Sequence, residues 1–589
     1  MNKAIKKNLS VLAILIFCCC SKLLAQSTQM STYCNPINVD YGYTPYVANT
    51  EFGKHRATAD PVIVMYKGDY YLFSTNTGGY WWSTDLYNWN FIPRTFLKPY
   101  HTGKGLNAPA VWVQSDTLLV FGSTYTKDYP IWMSTNPKAN EWSEALDSLE
   151  IGGWDPDVFL DDDGRLYMYT GSSNRFPLYG IELNRKTFQP VGTRKELLLL
   201  DDERFGWQRF GEYLDNTFID PFIEGATMTK YRGKYYFQYG GPGTEFSGYA
   251  DGVVVGADPL ERNSTFTPQS MPFSYKPGGF ARGAGHGGTF QDKWNNWWHV
   301  STIAISVKNN FERRLGLWPA GFDTDDVMYM DATFGDYPTY LPTAEADHLK
   351  SRFTGWMLLN YNKPVTVSST LGGYFANNAV DESIKTYWSA ATANKGEWIQ
   401  TDLGNISSVR AIQINYADQD AEFLGKSTGV YHQYKIYESR DGKLWKVLVD
   451  KSQNKKDVPH DYVELAQPVQ TRFIKLENIH MPTGKFAISG LRVFGNGNGS
   501  KPETVKGFAV LRTKKDKRSA WIKWGRVDNA YAYNIYVGTA PDKLYNCIMV
   551  HNSNEYYFKA MDKEVPYYFS IEALNENGMS EKTKVIEVK

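Results

Sequence analysis

The sequence carries no excess of either charge: 63 Lys and Arg residues balance 63 Asp and Glu. A neutral chain has no broad field with which to hold nucleic acid or an anionic membrane surface, and neither partner is expected. Cysteine is scarce. Of five cysteines, Cys18, Cys19 and Cys20 fall in the N-terminal apolar segment, which leaves Cys34 and Cys547 too far apart to suggest a disulfide framework. Helical periodicity of useful length is missing, which argues against alternating βαβ architecture. Past the N-terminus no apolar run is long enough to span a bilayer. No phosphate-cradling glycine loop, zinc-ligand spacing or nucleophile elbow is found, so no organic cofactor is expected.

Aromatic residues are plentiful, at 15% of the chain with 18 Trp and 41 Tyr. That load suits an all-β protein, and it suits a sugar binder, because sugar faces stack on aromatic rings. The N-terminus has the layout of an export signal over residues 1–25. Lys3, Lys6 and Lys7 precede the apolar "LSVLAILIFCCC", and "KLLAQS" offers cleavage after Ala25. Soluble export to the periplasm, cell surface or medium is expected in preference to a lipid anchor. The residues before Cys18, Cys19 and Cys20 match a lipoprotein cleavage box poorly.

A short pattern then recurs. "ADPVIV" at Ala59, "NAPAVWV" at Asn107, "WDPDVFL" at Trp154, "IDPFIEGATMTK" at Ile219 and "GHGGTFQD" at Gly285 are each followed by a polar turn and an aromatic strand. Each unit has the grammar of a hairpin, and two units add a further strand of the same style. Prolines 61, 109, 156 and 221 are spaced by 48, 47 and 65 residues. Three or four strands per unit at that spacing predict a five-bladed β-propeller over residues 34–345. In such a ring the innermost strands start at one mouth. Asp60, Asp155 and Glu224 then converge from three blades, with Asp157 and Asp220 nearby, while the second repeat carries Asn107. A lone Asp-Pro is an ordinary turn; acids repeated at equivalent places are harder to explain that way. Converging carboxyls suit glycoside hydrolysis, in which one acid protonates the leaving oxygen and another activates water.

The set "ADP", "WDPDVFLDDDG", "IEGATMTKYRGKYYF" and "GAGHGGTF" resembles glycoside hydrolase family 43, whose members are inverting five-bladed propellers. The resemblance implies Asp60 as general base, Asp155 as the group that orients the acid and raises its pKa, and Glu224 as general acid. It also matches His286 to a channel histidine beside a calcium ion or water cluster, and Arg282 to an arginine contacting substrate. Gly-Ala follows the acid where many members have Gly-Pro, and Asn107 stands where an aromatic often precedes Ala-Pro. Trp81, Trp82 and Trp154, with Tyr80, are candidates for a sugar platform, and each could equally be packing between blades. "LDDDGR" at Leu160 lacks the later Glu of a calcium loop and reads as a hairpin turn. "RFGWQRFGEYLDN" from Arg204 reads as a loop over the funnel mouth.

Beyond Leu341 the pattern changes. "AVDESIKTYWSA", "EWIQTDLG", "YKIYESRDGKLWKVL" and "RFIKLENIH…ISGLRVFG" resemble a discoidin, or factor 5/8 type C, jelly-roll over residues 355–496. Such modules often bind sugars, some with a structural calcium near the first loop. "SRDGKLW" imitates a sialidase turn but occurs once, outside the propeller. "GNGNGSKPE" reads as a flexible linker. Residues 503–589 resemble a fibronectin type III sandwich with Trp524 as its core indole, a spacer or interaction module. The expected function is an exported, exo-acting inverting glycosidase on terminal α-L-arabinofuranose or β-D-xylose of a polysaccharide or oligosaccharide. Galactofuranose or galactose is the alternative sugar, and a non-catalytic carbohydrate-binding propeller is the alternative class. The sequence does not indicate an oligomeric state.

Overall fold

The computed structural model describes residues 31–43, 55–75, 78–96, 106–124, 129–149, 151–261, 267–422 and 429–589. The export signal expected over residues 1–25, with its three cysteines, lies outside them. Five antiparallel sheets form the propeller, four of them four-stranded and one five-stranded. Blade 1 runs Val62–Tyr66, Asp69–Phe73, Gly79–Ser83 and Asn90–Pro93. Blade 2 runs Ala110–Gln114, Thr117–Phe121, Ile131–Asn136 and Glu141–Leu146. Blade 3 runs Asp157–Leu160, Leu166–Thr170, Leu178–Leu183 and Pro190–Leu198. Blade 4 runs Glu224–Tyr231, Lys234–Gly241, Ala250–Gly256 and Thr267–Pro268, with Ser274–Tyr275 also paired to its third strand. Blade 5 runs Gly285–Gln291, Trp297–Ala304, Arg313–Phe322 and Met328–Met330. The innermost strands neighbour one another in a closed ring, blade 5 against blade 1. The N-terminal segment fastens the ring: Thr32–Tyr33 pairs with Thr339–Tyr340, and the Asn35 side chain donates to the carbonyls of Leu317 and Gly335.

The alternation of Tyr, Phe and Trp with small residues has a packing reason. Aromatics on each second strand fill the wedge between blades, as Phe73 of blade 1 meets Trp142 of blade 2 edge-on at 6.2 Å between centroids. Residues 357–496 form the jelly-roll, with long central strands Trp398–Tyr416 and His460–His480, around a core that includes Trp388, Ile414 and Phe486. The Ser439–Gly442 segment is its hairpin turn, with Gly442 N–H bonded to Ser439 Oγ. Residues 509–588 form a small sandwich of a three-stranded and a larger sheet, in which Trp524 is buried against Tyr533.

The three modules share buried surface. Trp207 and Tyr239 of the propeller lie in one apolar cluster with Trp524, Tyr533 and Phe558 of the small sandwich, and a second cluster joins Phe334, Trp356 and Met549 from all three. Two expectations change accordingly. The Gly-rich stretch after Asn496 is pinned, not free: Gly497 N–H bonds to Glu576 O, Gly499 N–H to Asn577 Oδ1, and a Cβ on Gly497 would lie 2.3 Å from Asn577 Oδ1. The insertion from Arg204 serves mainly as the seat of the small sandwich. Arg204 pairs with Asp562 at 2.9 Å and Arg209 with Asp516 at 2.6 Å, while towards the 243–247 loop Phe210 packs edge-on against Phe246 at 4.8 Å and Glu212 accepts from Ser247. Among the described residues no helix is long and apolar enough to cross a membrane.

Candidate active site

All five innermost strands begin with a backbone kink into the left-handed region. It falls at Asp60 (φ 52°), Ala108 (φ 37°), Asp155 (φ 49°), Gly225 (φ 60°) and His286 (φ 46°). Non-glycine residues rarely adopt this conformation, and each instance costs about 1–3 kcal/mol. The kink aims one side chain per blade at the axis before the strand departs outward. These residues and their successors line a small axial cavity of about 20 Å³, enough for a single water.

The shared kink corrects the alignment of the repeats. The residue equivalent to the two aspartates in blade 2 is Ala108, not Asn107. In blade 4 it is Gly225, and Asp220 lies on an exposed loop away from the strand start. Gly225 is required by a close approach as well as by φ, because a Cβ there would lie 2.5 Å from Cδ2 of the His286 ring. Blade 4 therefore presents its acid from the preceding residue. Glutamate, one methylene longer than aspartate, has the reach for that place.

Side-chain atoms of Asp155, Glu224 and His286 lie within 4.8 Å of one another, the one His, Cys, Asp and Glu cluster of metal-ligand size among the described residues. His286 Nδ1 is 3.4 Å from Asp60 Oδ1 and 3.9 Å from Asp155 Oδ2. Thr75 donates to Asp60 Oδ2 at 2.6 Å, Asp60 N–H donates to Thr302 Oγ1, and Arg313 Nη1 stands 3.6 Å from Asp60 Oδ1. Burial pushes the Asp60 carboxyl up, but His286, Arg313 and Thr75 together hold it below the usual carboxylate range. Asp155 behaves oppositely. Burial, with repulsion from Glu224 and Asp60, pushes it up to about 8 against the pull of His286 and Ser123. A proton held there is shared by the interacting carboxyls, not owned by one. Glu224 accepts from Tyr249 at 2.5 Å and from Ser172 at 3.0 Å. Asp251 fixes the fifth strand start by accepting from the backbone N–H groups of His286 and Gly287. Burial lowers the His286 pKa, yet the surrounding carboxylates raise it on balance. Asp157 also lines the axis, and burial pushes it up to about 6.

Of the candidates, Asp60, Asp155, Glu224 and His286 do converge. Asn107 borders them through Ala108, whose N–H bonds to Thr75, and its Oδ1 is buried with no partner among the described residues. Trp154 is half-buried beside Asp155. Four others sit elsewhere. Trp81 is fully buried in the first blade's core, its indole N–H on Asp40, and Trp82 lies under Lys138 on the same outer strand. Tyr80 stacks inside the blade. Arg282 donates to Gly279 O and faces Asp381, Tyr556 and His551 where the three modules meet. The arginine at the site is Arg313. It escaped the sequence reading together with Thr75, Ser123, Ser172, Tyr249, Asp251 and Thr302. A signal for the hydroxyls was present, since the second strands run out as "LFST", "VFGS", "YTGSS" and "HVST".

Calcium prefers six to eight oxygen ligands, and one imidazole with two carboxyls committed to chemistry is a poor match for it. In the jelly-roll's first loop Asp381 is already occupied by Ser383 N–H and Thr386 Oγ1, and Glu382 is turned inward onto Arg492. No step below is routed through a metal.

Residues 55–328 match the sequence model of glycosyl hydrolases family 43, and residues 364–491 match the F5/8 type C domain. The chain is a glycoside hydrolase. No curated relative matches it. Among solved structures the hydrolase is similar to one described as a glycoside hydrolase, at 19% identity over 77% of this chain and 99% of the other, TM-score 0.44. An endo-1,4-beta-xylanase from Bacteroides thetaiotaomicron is 20% identical over 47% and 95%, TM-score 0.38. An alpha-L-arabinofuranosidase from Clostridium thermocellum is 18% identical over 46% and 93%, TM-score 0.36. At these scores the neighbours assign no substrate to the hydrolase.

Proposed function

We propose that the hydrolase releases terminal furanose or pentose units, of the α-L-arabinofuranose or β-D-xylose type, from a polysaccharide or oligosaccharide with inversion at the anomeric carbon. The observation that carries this reading is the state of Asp60, a carboxylate only 11% exposed yet held ionised by His286, Arg313 and Thr75. An ionised base lining an axial cavity with room for a single water suits activation of that water. Asp60 takes a proton from water as the oxygen attacks the anomeric carbon. Glu224 gives its proton to the leaving oxygen as the glycosidic bond breaks. The cycle ends with Asp60 protonated and Glu224 ionised, and exchange with solvent resets both. Asp155 and His286 tie the two groups together, and the unpartnered Oδ1 of Asn107 supplies an acceptor for a sugar hydroxyl. Trp154, half-buried and next in sequence to Asp155, is the aromatic candidate for supporting the ring.

Export through residues 1–25 belongs to the same proposal, as does a fibronectin type III-like packing role for the small sandwich. The test is product identification on a panel of plant and host glycans, with the newborn anomer followed by NMR. Release of arabinose or xylose in the inverted configuration supports the reading, and a retained anomer refutes it. Release of galactose or galactofuranose would keep the mechanism and replace the sugar. Tight calorimetric binding without any released sugar would favour a non-catalytic propeller.

A further inference from the structure

Successive residues of a β-strand face opposite sides, and Arg313 and Arg314 open the third strand of blade 5. Arg313 turns to Asp60. Arg314 turns outward to the jelly-roll, where its Nη2 is 3.5 Å from Asp418 Oδ2 and its Nε donates to His460 Nε2 at 2.9 Å. Arg56, four residues before the base, meets the same carboxylate: its backbone N–H donates to Asp418 Oδ2 at 2.8 Å and its Nη1 to Oδ1 at 2.9 Å. Arg56 Nη2 continues to Asp457 at 2.7 Å. The two arginines are also joined to each other, since Arg314 Nη1 donates to Arg56 O, and Thr58 N–H donates to Arg313 O. One buried carboxylate of the jelly-roll thus grips both backbone segments that flank the base, the approach 55–60 and the strand that aims Arg313.

We propose that Asp418 is a positioning residue for the catalytic base, and that the jelly-roll acts as a fixed buttress of the active site. The proposal rests on the reading of Asp60 as the base. The first jelly-roll loop agrees with a buttress, because it is spent on the propeller: Ile384 is buried in the cluster of Phe280 and Ile305, and Lys385 reaches Glu212 at 3.7 Å. Around Asp418 stand the cations Arg56, Arg314 and Lys308, with His55, His432, His460, Glu312 and Asp457. Around Asp60 stand His286 and Arg313, with Asp155, Glu224 and Tyr249.

Asp418→Asn releases the arginines while keeping the side chain's size. Drift of Arg313 by about 1 Å raises the acid limb of kcat/KM by about half a pH unit. Misplacement of that order lowers kcat/KM by about tenfold or more. Glu464→Gln is the control. Glu464 binds Thr32 across the same pair of modules, far from Asp60, so it should lower the melting temperature and leave the acid limb in place. If Asp418→Asn does not fold, Asp457→Asn, which frees Arg56 Nη2 and loses the 3.2 Å contact with His432 Nδ1, should move the limb in the same direction. A melting temperature that falls with an unmoved acid limb in both aspartate variants overturns the proposal, as does an equal limb shift in Glu464→Gln. Near wild-type turnover by Asp60→Asn would instead overturn the base assignment, whatever Asp418 shows.

Discussion

Replacing Arg313 by glutamine asks how much of the base's ionisation comes from a single neighbour. The guanidinium stands 3.6 Å from Asp60 Oδ1, with both side chains about nine-tenths buried, at 9% and 11% exposure. At an effective dielectric constant near 20, unit charges at that distance interact by about 4–5 kcal/mol, a ceiling of about 3 pKa units. His286 and the Thr75 hydroxyl remain in the variant and water relaxes around the loss, so a rise of about 1–2 units is expected. The sign is fixed by the role. A base must be ionised, and removing the cation that favours its ionised form moves the acid limb of kcat/KM to higher pH. The assay is the pH profile of kcat/KM on a chromogenic arabinofuranoside or xyloside, because that ratio reports the free enzyme. Lost substrate contacts would lower the whole profile without moving its inflection. An acid limb unmoved in Arg313→Gln refutes the account of Asp60, even if the variant is slow.

Glu224→Gln should cost about 10²–10⁴-fold in kcat on a natural glycan but far less on a dinitrophenyl glycoside, whose leaving group needs no proton; equal losses on both would remove Glu224 from the acid's role. Gly225→Ala forces a Cβ into the His286 ring at 2.5 Å and a side chain into φ +60°, so both melting temperature and turnover should fall, turnover by about tenfold or more, and wild-type values for both would contradict the close-approach argument. Buried neutral histidines should make the fold acid-sensitive. Burial holds His551 down to about 3 and His460 well below its usual value, while the unfolded chain takes up protons near pH 6.5. The stability these groups contribute is therefore full above pH 6.5 and lost progressively as pH falls toward 3, at up to about 1.4 kcal/mol per pH unit for each histidine. Chemical denaturation at pH 7.5 and 5 measures it, and equal midpoints would refute it.

Much of the architecture was legible because a propeller repeats its grammar. Turn, aromatic strand and Asp-Pro recur, and three acids at strand starts imply a common axis. What misled was the assumption that repeats align by proline. A residue before proline is ordinarily extended, yet Asp60 and Asp155 are left-handed there, and the kink, not the proline, is the shared feature. Proline alignment already sets Ala108, not Asn107, opposite Asp60 and Asp155, and counting from the kink replaces Asp220 by Gly225 in blade 4. Aromatic residues gave no comparable guidance. Trp81 and Trp82 are neighbours on one strand, but Trp81 is fully buried in the blade's core and Trp82 is half-buried under Lys138, a difference of strand face that composition does not carry.

The relations between modules were the least legible, and the reason is physical. Asp418 meets Arg56 across 362 residues of chain and meets Arg314 across 104. No local periodicity encodes such a pair, and each partner alone looks like an ordinary surface charge. A buried ion pair between modules is costly to assemble, and removing one partner costs about 3–5 kcal/mol by stranding the other. Such a pair is a poor choice for adhesion alone, since the apolar clusters already join the modules. It makes sense where direction matters: a carboxylate that fixes the angle of Arg56 and Arg314 also fixes the strand start from which the adjacent Arg313 reaches the base.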